Sequence, residues 1–240
     1  MIFDFIVGNG TAFFCLDCVW NSGNSVLWSR LQIGAYSLTI LISYLIGSLP
    51  TGYLAGMARG IDIRAAGSGN IGATNVFRVL GRSAGISVLA VDGAKGFAAA
   101  RWVPLLAGKC FPGAPAQNLA LAAGVAAVLG HVYSCWLKFK GGKGIATSAG
   151  VGFAWAPEAC ALTLAIWGIV FVSTRYVSVA SIVAAVVLPL AVWGFHYGTR
   201  MTLVMTALAV LAIYKHKANI RRLLDGTENR AGTKKKQATP

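Results

Sequence analysis

Long apolar runs alternate with short basic or glycine-rich segments along this chain. Runs of roughly 17–25 apolar residues are long enough to cross a bilayer as helices. They occupy residues 34–57, 84–107, 118–137, 158–174, 177–196 and 200–215. A shorter run, 145–156, is divided from its successor by Pro157 and Glu158. It would reach only ~18 Å at 1.5 Å per residue. Short or broken segments of this kind are tolerated where neighbouring helices bury them. The pattern predicts an all-α polytopic membrane protein of seven transmembrane helices, one of them short, with glycine-rich cytoplasmic loops. Residues 34–223 form the transmembrane domain, and 224–240 a polar, basic cytoplasmic tail. Residues 1–33 stand apart as an N-terminal extension, apolar in patches but broken by Asp4, Asn9 and Asp17. They lack the basic start and small-residue cleavage site of a signal peptide. An exposed extension, an interfacial segment and an upstream start absent from the mature protein all fit them.

Composition agrees with a membrane protein. Of 240 residues, 56% are hydrophobic and 12% charged, whereas soluble domains carry about 25% charged residues. A soluble domain and an intrinsically disordered chain are excluded on the same ground. The net charge of +14 points to an anionic lipid or an anionic substrate, because the basic residues lie between apolar spans. Under the seven-span reading, one face carries 16 Lys and Arg and the other only Arg101, Lys109 and Arg200. The positive-inside rule makes the first face cytoplasmic, with the C-terminus inside. A six-span reading scrambles this asymmetry. The five cysteines, at 15, 18, 110, 135 and 160, are too scattered for a disulfide framework. Cys15 and Cys18 form a lone CxxC with no second pair, and no metal site is expected.

Three cytoplasmic segments carry candidate chemistry. The first runs Gly67-Ser68-Gly69-Asn70-Ile71-Gly72-Ala73-Thr74-Asn75-Val76-Phe77-Arg78. Its glycines allow positive φ and let backbone N–H groups approach an anion. Ser68 and Asn70 add neutral donors, and Arg78 adds a fork suited to phosphate oxygens. The G-x-G-x-x-G spacing follows no strand, so a dinucleotide fold is rejected. A plain glycine turn between helices is the competing reading. The second segment, 139–148, places Gly141, Gly142, Lys143 and Gly144 just ahead of a helix, where unpaired N–H groups and the dipole favour phosphate. It is not a Walker A sequence, because Gly144 stands where Ser or Thr would follow the Lys. His131 precedes it, read as a structural hydrogen-bonding group before a catalyst. The third, at 216–223, sets His216 and Asn219 three apart on one helix face. Basic capping of the helix end explains Arg221 and Arg222 better than it explains Asn219.

Two charges sit inside a span. Asp92 and Lys95 would each cost ~2.5–3.5 kcal/mol at the bilayer centre. A mutual pair facing the protein interior lowers that cost, and a structural pair and a direct ligand role both remain open. Pro50, in Gly47-Ser48-Leu49-Pro50-Thr51-Gly52, removes one helix hydrogen bond among small neighbours. The inventory describes a site for one or two phosphate groups beside an apolar chain. No HExxH, GxSxG or PCxxC occurs. A carrier built on broken helices is the rival reading, but the polar motifs gather on one side without a matched set on the other.

The motifs GSLPTG at 47–52, GSGNIGATNVFR at 67–78, DGAKG at 92–96, FKGGKG at 139–144, RYVSVAS at 175–181 and KHKANIRRLLDGTE at 215–228 come in an order that resembles the acyl-phosphate-dependent glycerol-3-phosphate acyltransferases of bacteria, the PlsY family. The likeness extends from about Tyr36 to Arg230. It implies seven membrane helices in the bacterial inner membrane with the site at the cytoplasmic face. It also implies transfer of a fatty acyl group from acyl phosphate to the 1-hydroxyl of sn-glycerol 3-phosphate, giving lysophosphatidic acid and phosphate for phospholipid synthesis. The implied catalytic residues are His216, Asn219 and Lys143. Substrate phosphate falls to Ser68, Gly69, Asn70, Arg78, Gly141, Gly142 and Lys143, with Asn75, Asp92, Lys95 and His131 in support. Glycerol 3-phosphate, acyl phosphate and the lipid bilayer are the implied partners, with the acyl-phosphate-forming enzyme as a further one. No cofactor and no nucleic acid are expected. The base for the hydroxyl proton is either His216 or the substrate's own phosphate. One departure stands out: the family commonly has Pro a few residues after the Gly130-His131 pair, and this chain has Ser134 near that position.

Overall fold

The computed structural model describes residues 16–232, with side chains from Arg30 onward. Every regular element among them is helical. In chain order they are α1 (Leu16–Ser48), α2 (Thr51–Met57), α3 (Ala73–Leu80), α4 (Arg82–Cys110), α5 (Ala116–Val132), a 3₁₀ turn (Cys135–Leu137), α6 (Ile145–Trp155), α7 (Pro157–Thr174), α8 (Val177–Gly194), α9 (Thr199–Lys215) and α10 (Lys217–Leu224). Four stretches are long and apolar enough to cross a membrane: Arg30–Met57, Ala116–Leu137, Pro157–Thr174 and Val177–Gly194. A fifth is added if α9 and α10, bent by 53° at His216, count as one. Helix α4 is long but carries Arg82, Asp92, Lys95, Arg101 and Lys109, and α6 has only 11 residues.

The breaks fall where the backbone chemistry demands them. Pro50 has no N–H to donate, and α1 stops two residues before it. Pro157 begins α7 at N1, where a missing N–H costs nothing. The first helix extends further back than hydrophobicity suggests. Residues 16–33, set apart in the sequence as an extension, continue α1 as one helix. Residues 1–15, including Cys15, and residues 233–240 of the tail lie outside the described part.

Small residues hold the bundle together, because without a hydrophobic drive in lipid the helices must pack by close backbone approach. Ala35, Thr39, Ser43 and Gly47, spaced four apart on α1, are all buried. A Cβ on Gly47 would stand 2.0 Å from the Ala127 carbonyl oxygen of α5. One on Gly130 would stand 2.3 Å from the Tyr44 carbonyl oxygen of α1. Ser134 Oγ donates to the Ser48 carbonyl at 2.6 Å. The Ser thereby ties the end of α5 to the broken end of α1, a bond that Pro could not make. Helices α4 and α6 meet as closely, with a Cβ on Gly150 falling 1.9 Å from the Gly93 carbonyl oxygen. Val128, Val151, Trp155, Val192, Met205 and Leu208 form the main core between α5, α6, α8 and α9.

Replacing Gly47 by Leu forces α1 away from α5 and should lower the unfolding temperature in detergent, at an overpacking cost of about 1–3 kcal/mol or more. Gly108→Ala, where an added Cβ meets nothing within 4 Å, should leave it unchanged or raised. Equal melting of the two variants would contradict this account of the seam.

Candidate active site

The glycine loop 67–72 owes its shape to two left-handed residues and one amide. Gly67 and Gly69 have φ of 62° and 70°, a region that side chains disfavour. Buried Asn75, on the first turn of α3, accepts from the Ser68 N–H at 2.7 Å through Oδ1. Its Nδ2 donates to the Ile63 and Ala66 carbonyls. Both of its donors and one acceptor site tie the loop to the segment before it, so Asn75 is a staple that also borders the cavity. Ser68, Asn70 and, one turn further along α3, Arg78 are left facing a cavity of about 280 Å³.

The second loop departs from the sequence reading. Gly141 N–H donates to the Val132 carbonyl at 3.1 Å and Gly142 N–H to the His131 carbonyl at 3.0 Å. Those two N–H groups are spent on the end of α5 and are not open to phosphate. The Gly69 N–H is likewise given to the Ala66 carbonyl. What the paired glycines provide is room: a Cβ on Gly142 would fall 2.3 Å from His131 Nε2. Lys143 and Gly144, at the start of α6, do line the cavity.

His131 belongs to a buried polar knot. Asp92 accepts from Thr51 Oγ1 at 2.6 Å, pairs with Lys95 Nζ at 2.7 Å, and lies 3.5 Å from His131 Nδ1. Lys95 Nζ also donates to the Leu49 carbonyl at 2.7 Å, an oxygen that the Pro50 break frees from helical pairing. Asp92 and His131 reach the cavity wall, while Lys95 faces away from it.

The third segment closes the site from the far side. His216 sits at the α9–α10 break, 3% exposed. Its Nδ1 is 2.7 Å from the Ala212 carbonyl oxygen. A carbonyl only accepts, so the proton is on Nδ1 and Nε2 is the free acceptor. Lys143 Nζ donates to Asn219 Oδ1. Asn219 Nδ2 donates to Glu228 Oε1 at 2.7 Å, where Ser178 Oγ joins at 3.0 Å, and Arg222 Nε donates to Oε2 at 2.7 Å.

Glu228 was not among the residues singled out from the sequence, which placed 224–240 in a polar tail. Gly226, at φ 67°, reverses the chain after α10. The Thr227 and Glu228 N–H groups then return to the Arg222 carbonyl, and the Ala231 N–H bonds to the Arg175 carbonyl. The tail's first residues thus fold onto the bundle and bring a carboxylate into a cationic site. The signal available was DGTE itself, a turn pair followed by a second acid, Glu228, among many bases.

Electrostatics follow from this packing. Burial pushes the Lys143 ammonium down to about 8, helped by Arg222 and Arg78 and opposed by Glu228. Burial also lowers Arg78, with Glu228 opposing. Burial works against the Glu228 charge, but hydrogen bonds from Asn219, Arg222 and Ser178 outweigh it and hold the carboxyl below its usual range. Burial and the Lys143 charge push His216 down to about 4, so it is neutral near pH 7. Beyond this polar end the cavity continues between α7, α8 and α9, past Leu164, Leu188, Met205 and Leu208. No group of three or more His, Cys, Asp or Glu among the described residues could hold a metal. The arrangement can bind an anionic head at its cationic end and an apolar tail along its depth.

The glycerol-3-phosphate acyltransferase family model matches residues 37–226. A glycerol-3-phosphate acyltransferase of Desulforudis audaxviator is 50% identical over 202 residues, covering 84% of this chain and 98% of that one. One from Geobacter sulfurreducens is 46% identical over 189 residues, covering 79% and 94%. Two crystal structures of PlsY, an integral membrane glycerol 3-phosphate acyltransferase, match at 38% identity over 82% of this chain and 96% of theirs. The glycerol 3-phosphate form gives a TM-score of 0.75 and the lysophosphatidic acid form 0.73.

An anion beside Lys143 raises its pKa from about 8, so binding takes up a proton just above that pH, and affinity falls as pH rises through it. Calorimetry of inorganic phosphate binding at about pH 8.5, in buffers of different ionisation enthalpy, should show proton uptake. Lys143→Arg, which stays charged, should abolish it. Uptake that persists in the variant would move the titrating group elsewhere.

Proposed function

Because the chain belongs to the glycerol-3-phosphate acyltransferase family, we propose that it takes its acyl group from acyl phosphate and joins it to the 1-hydroxyl of sn-glycerol 3-phosphate. Lysophosphatidic acid and inorganic phosphate are the products. The observation that carries this reading is a cavity that is cationic at one end and apolar along the rest. That shape suits a phosphate head on a long acyl chain. The PlsY structures, with glycerol 3-phosphate and lysophosphatidic acid forms, support the same chemistry.

The proposed membrane arrangement has seven helices: α1 with α2, α4, α5, the short α6, α7, α8 and α9. Its support is the division of 16 basic residues against 3, which puts the C-terminus and the cationic end of the cavity in the cytoplasm. The membrane is the bacterial inner membrane, and the enzyme that makes acyl phosphate is a natural neighbour.

In the reaction, the 1-hydroxyl oxygen attacks the acyl carbonyl carbon and the carbon–oxygen bond to phosphate breaks. Phosphate leaves with the electron pair. Acyl phosphate is a mixed anhydride with a good leaving group, so alignment of the two substrates supplies much of the acceleration. Arg78 and Lys143, with Ser68 and Asn70 beside them, hold phosphate oxygens and offset the charge that develops on the departing group. Gly69, Gly141 and Gly142 shape the loops, and Asn75, Asp92, Lys95 and His131 fix their positions. Asn219 orients Lys143. His216 offers Nε2 to the attacking hydroxyl. With its pKa near 4 it is a weak base, so the hydroxyl proton passes to the substrate's own phosphate.

Purified protein given glycerol 3-phosphate should make lysophosphatidic acid from palmitoyl phosphate and none from palmitoyl-CoA. Lys143→Ala should lose this activity with its fold intact. Product from the CoA ester alone would overturn the donor. No product from either would favour a carrier, testable by glycerol 3-phosphate uptake into proteoliposomes. His216→Gln should retain kcat within about tenfold, whereas the loss of a general base costs roughly 10²–10⁴. A loss in that range would transfer the proton to His216.

A further inference from the structure

The cavity is not closed on all sides. Two of its lining side chains, Leu89 on α4 and Leu164 on α7, are 53% and 52% exposed. Helix α6 packs on both α4 and α7, but α4 and α7 have no extended packing on each other among the described residues. Because Leu89 and Leu164 are at once exposed and part of the lining, the cavity reaches the protein surface along α4 and α7, at what we read as a slot. Leu89 lies seven residues from Arg82 and Trp167 seven from Thr174, so each is about 10 Å from its own helix end. Leu164 is three residues deeper. Those two helix ends share the face that carries the cationic site. The rim of the slot is fixed: Trp167 Nε1 donates to Ser181 Oγ at 3.3 Å, and its ring stacks on Phe171 at 5.2 Å.

An acyl phosphate anchored in a bilayer meets a geometric problem at such a site. Its head must reach Arg78 and Lys143 in the polar layer while its tail remains among lipid chains. Threading the tail end-first through the polar mouth would expose it to water, at ~0.8 kcal/mol per CH₂ group. A sideways opening in the apolar layer avoids this exposure.

We propose that the slot between α4 and α7, rimmed by Leu89, Leu164 and Trp167, is the lateral mouth through which the substrate's acyl chain passes between bilayer and cavity. This rests on the reading of the donor as a long-chain acyl compound. The occupant follows from continuity: the surface that carries Leu89 and Leu164 runs unbroken to Lys143 and Arg78. A chain lying in the mouth keeps its methylenes in apolar surroundings throughout entry and exit.

Narrowing the mouth tests the proposal. Leu89→Trp and Leu164→Trp, each made singly, should lower kcat/KM for palmitoyl phosphate by about tenfold or more, equivalent to about 1.4 kcal/mol. Turnover of water-soluble butyryl phosphate and the KM for glycerol 3-phosphate should stay within roughly twofold, well inside that tenfold step. Ile169→Trp, an exposed position on α7 outside the cavity, is the control and should match the parent with both donors. Equal loss with both donors, or no loss with palmitoyl phosphate in whichever Trp variant folds, would overturn the mouth. The donor reading fails separately. If the parent protein uses only palmitoyl-CoA, acyl phosphate is wrong, and a long-chain-selective loss with that ester would still support the mouth.

Discussion

The Asp92–Lys95 pair is the contact on which the rest of the site depends. Two charges inside a membrane helix are tolerated only when they satisfy each other and their remaining hydrogen-bonding capacity. Here the requirement ties four elements together. Asp92 holds Thr51 at the start of α2 and approaches His131 at the end of α5. Lys95 caps the Leu49 carbonyl released by the Pro50 break. His131 in turn backs the Gly141–Gly142 turn, which ends at Lys143. The break in the first span, which standing alone would expose unpaired backbone in an apolar medium, becomes the acceptor that makes a buried lysine possible. Replacing either charge alone would strand the other and loosen the loop that presents Lys143.

A second constraint concerns the cationic end. Arg78, Lys143 and Arg222 converge on one small volume and repel one another when no anion is present. Glu228 offsets that repulsion without occupying the place of a phosphate, because its oxygens are filled by Ser178, Asn219 and Arg222. Asn219 is the relay: one end accepts from Lys143, the other donates to Glu228. The amide needs both a donor and an acceptor face, which explains why an amide stands there in a run of basic residues. A carboxylate at position 219 would pair with Lys143 directly and compete with substrate. An aliphatic residue would leave the ammonium without a fixed direction.

Much of this was legible in the sequence, and the rest was hidden for physical reasons. Apolar runs located the helices, and Pro157 located the division between α6 and α7, because both follow from local chemistry. Ser68 and Lys143 could be nominated because glycines flank them, Arg78 because its fork suits phosphate oxygens, and His216 because it shares a helix face with Asn219. Gly141 and Gly142 misled as phosphate donors. Their N–H groups look free in the sequence, and only the placement of α5 shows that its last carbonyls take them. Glu228 was overlooked because a polar, basic tail reads as solvated. Its burial depends on Gly226 turning the chain and on Ser178, fifty residues away, meeting it. The backward extension of α1 to Leu16 was obscured by Asp17, Asn21 and Asn24, which dilute hydropathy without breaking a helix.

The division of labour among the helices follows from where small residues are placed. Helices α1, α4, α5 and α6 approach each other at glycine backbones such as Gly47, Gly93, Gly130 and Gly150. At those contacts the backbones touch, and this close-packed half, with α2, carries the polar knot. Helices α7, α8 and α9 present larger side chains such as Leu164, Leu188 and Met205 around the cavity. Side chains of that size keep backbones apart and leave the apolar volume that an acyl chain requires. Helix α3, which carries Arg78, and the loop that carries Lys143 adjoin the close-packed half, whereas His216, Asn219 and Glu228 follow α9. Under the proposed reaction, the head of the acyl donor would meet residues of both halves and most of its tail would lie against α7, α8 and α9. In that proposal the bond to be broken would lie where the two groups of helices meet, so the packing that fixes one against the other would also fix the alignment on which acyl transfer depends.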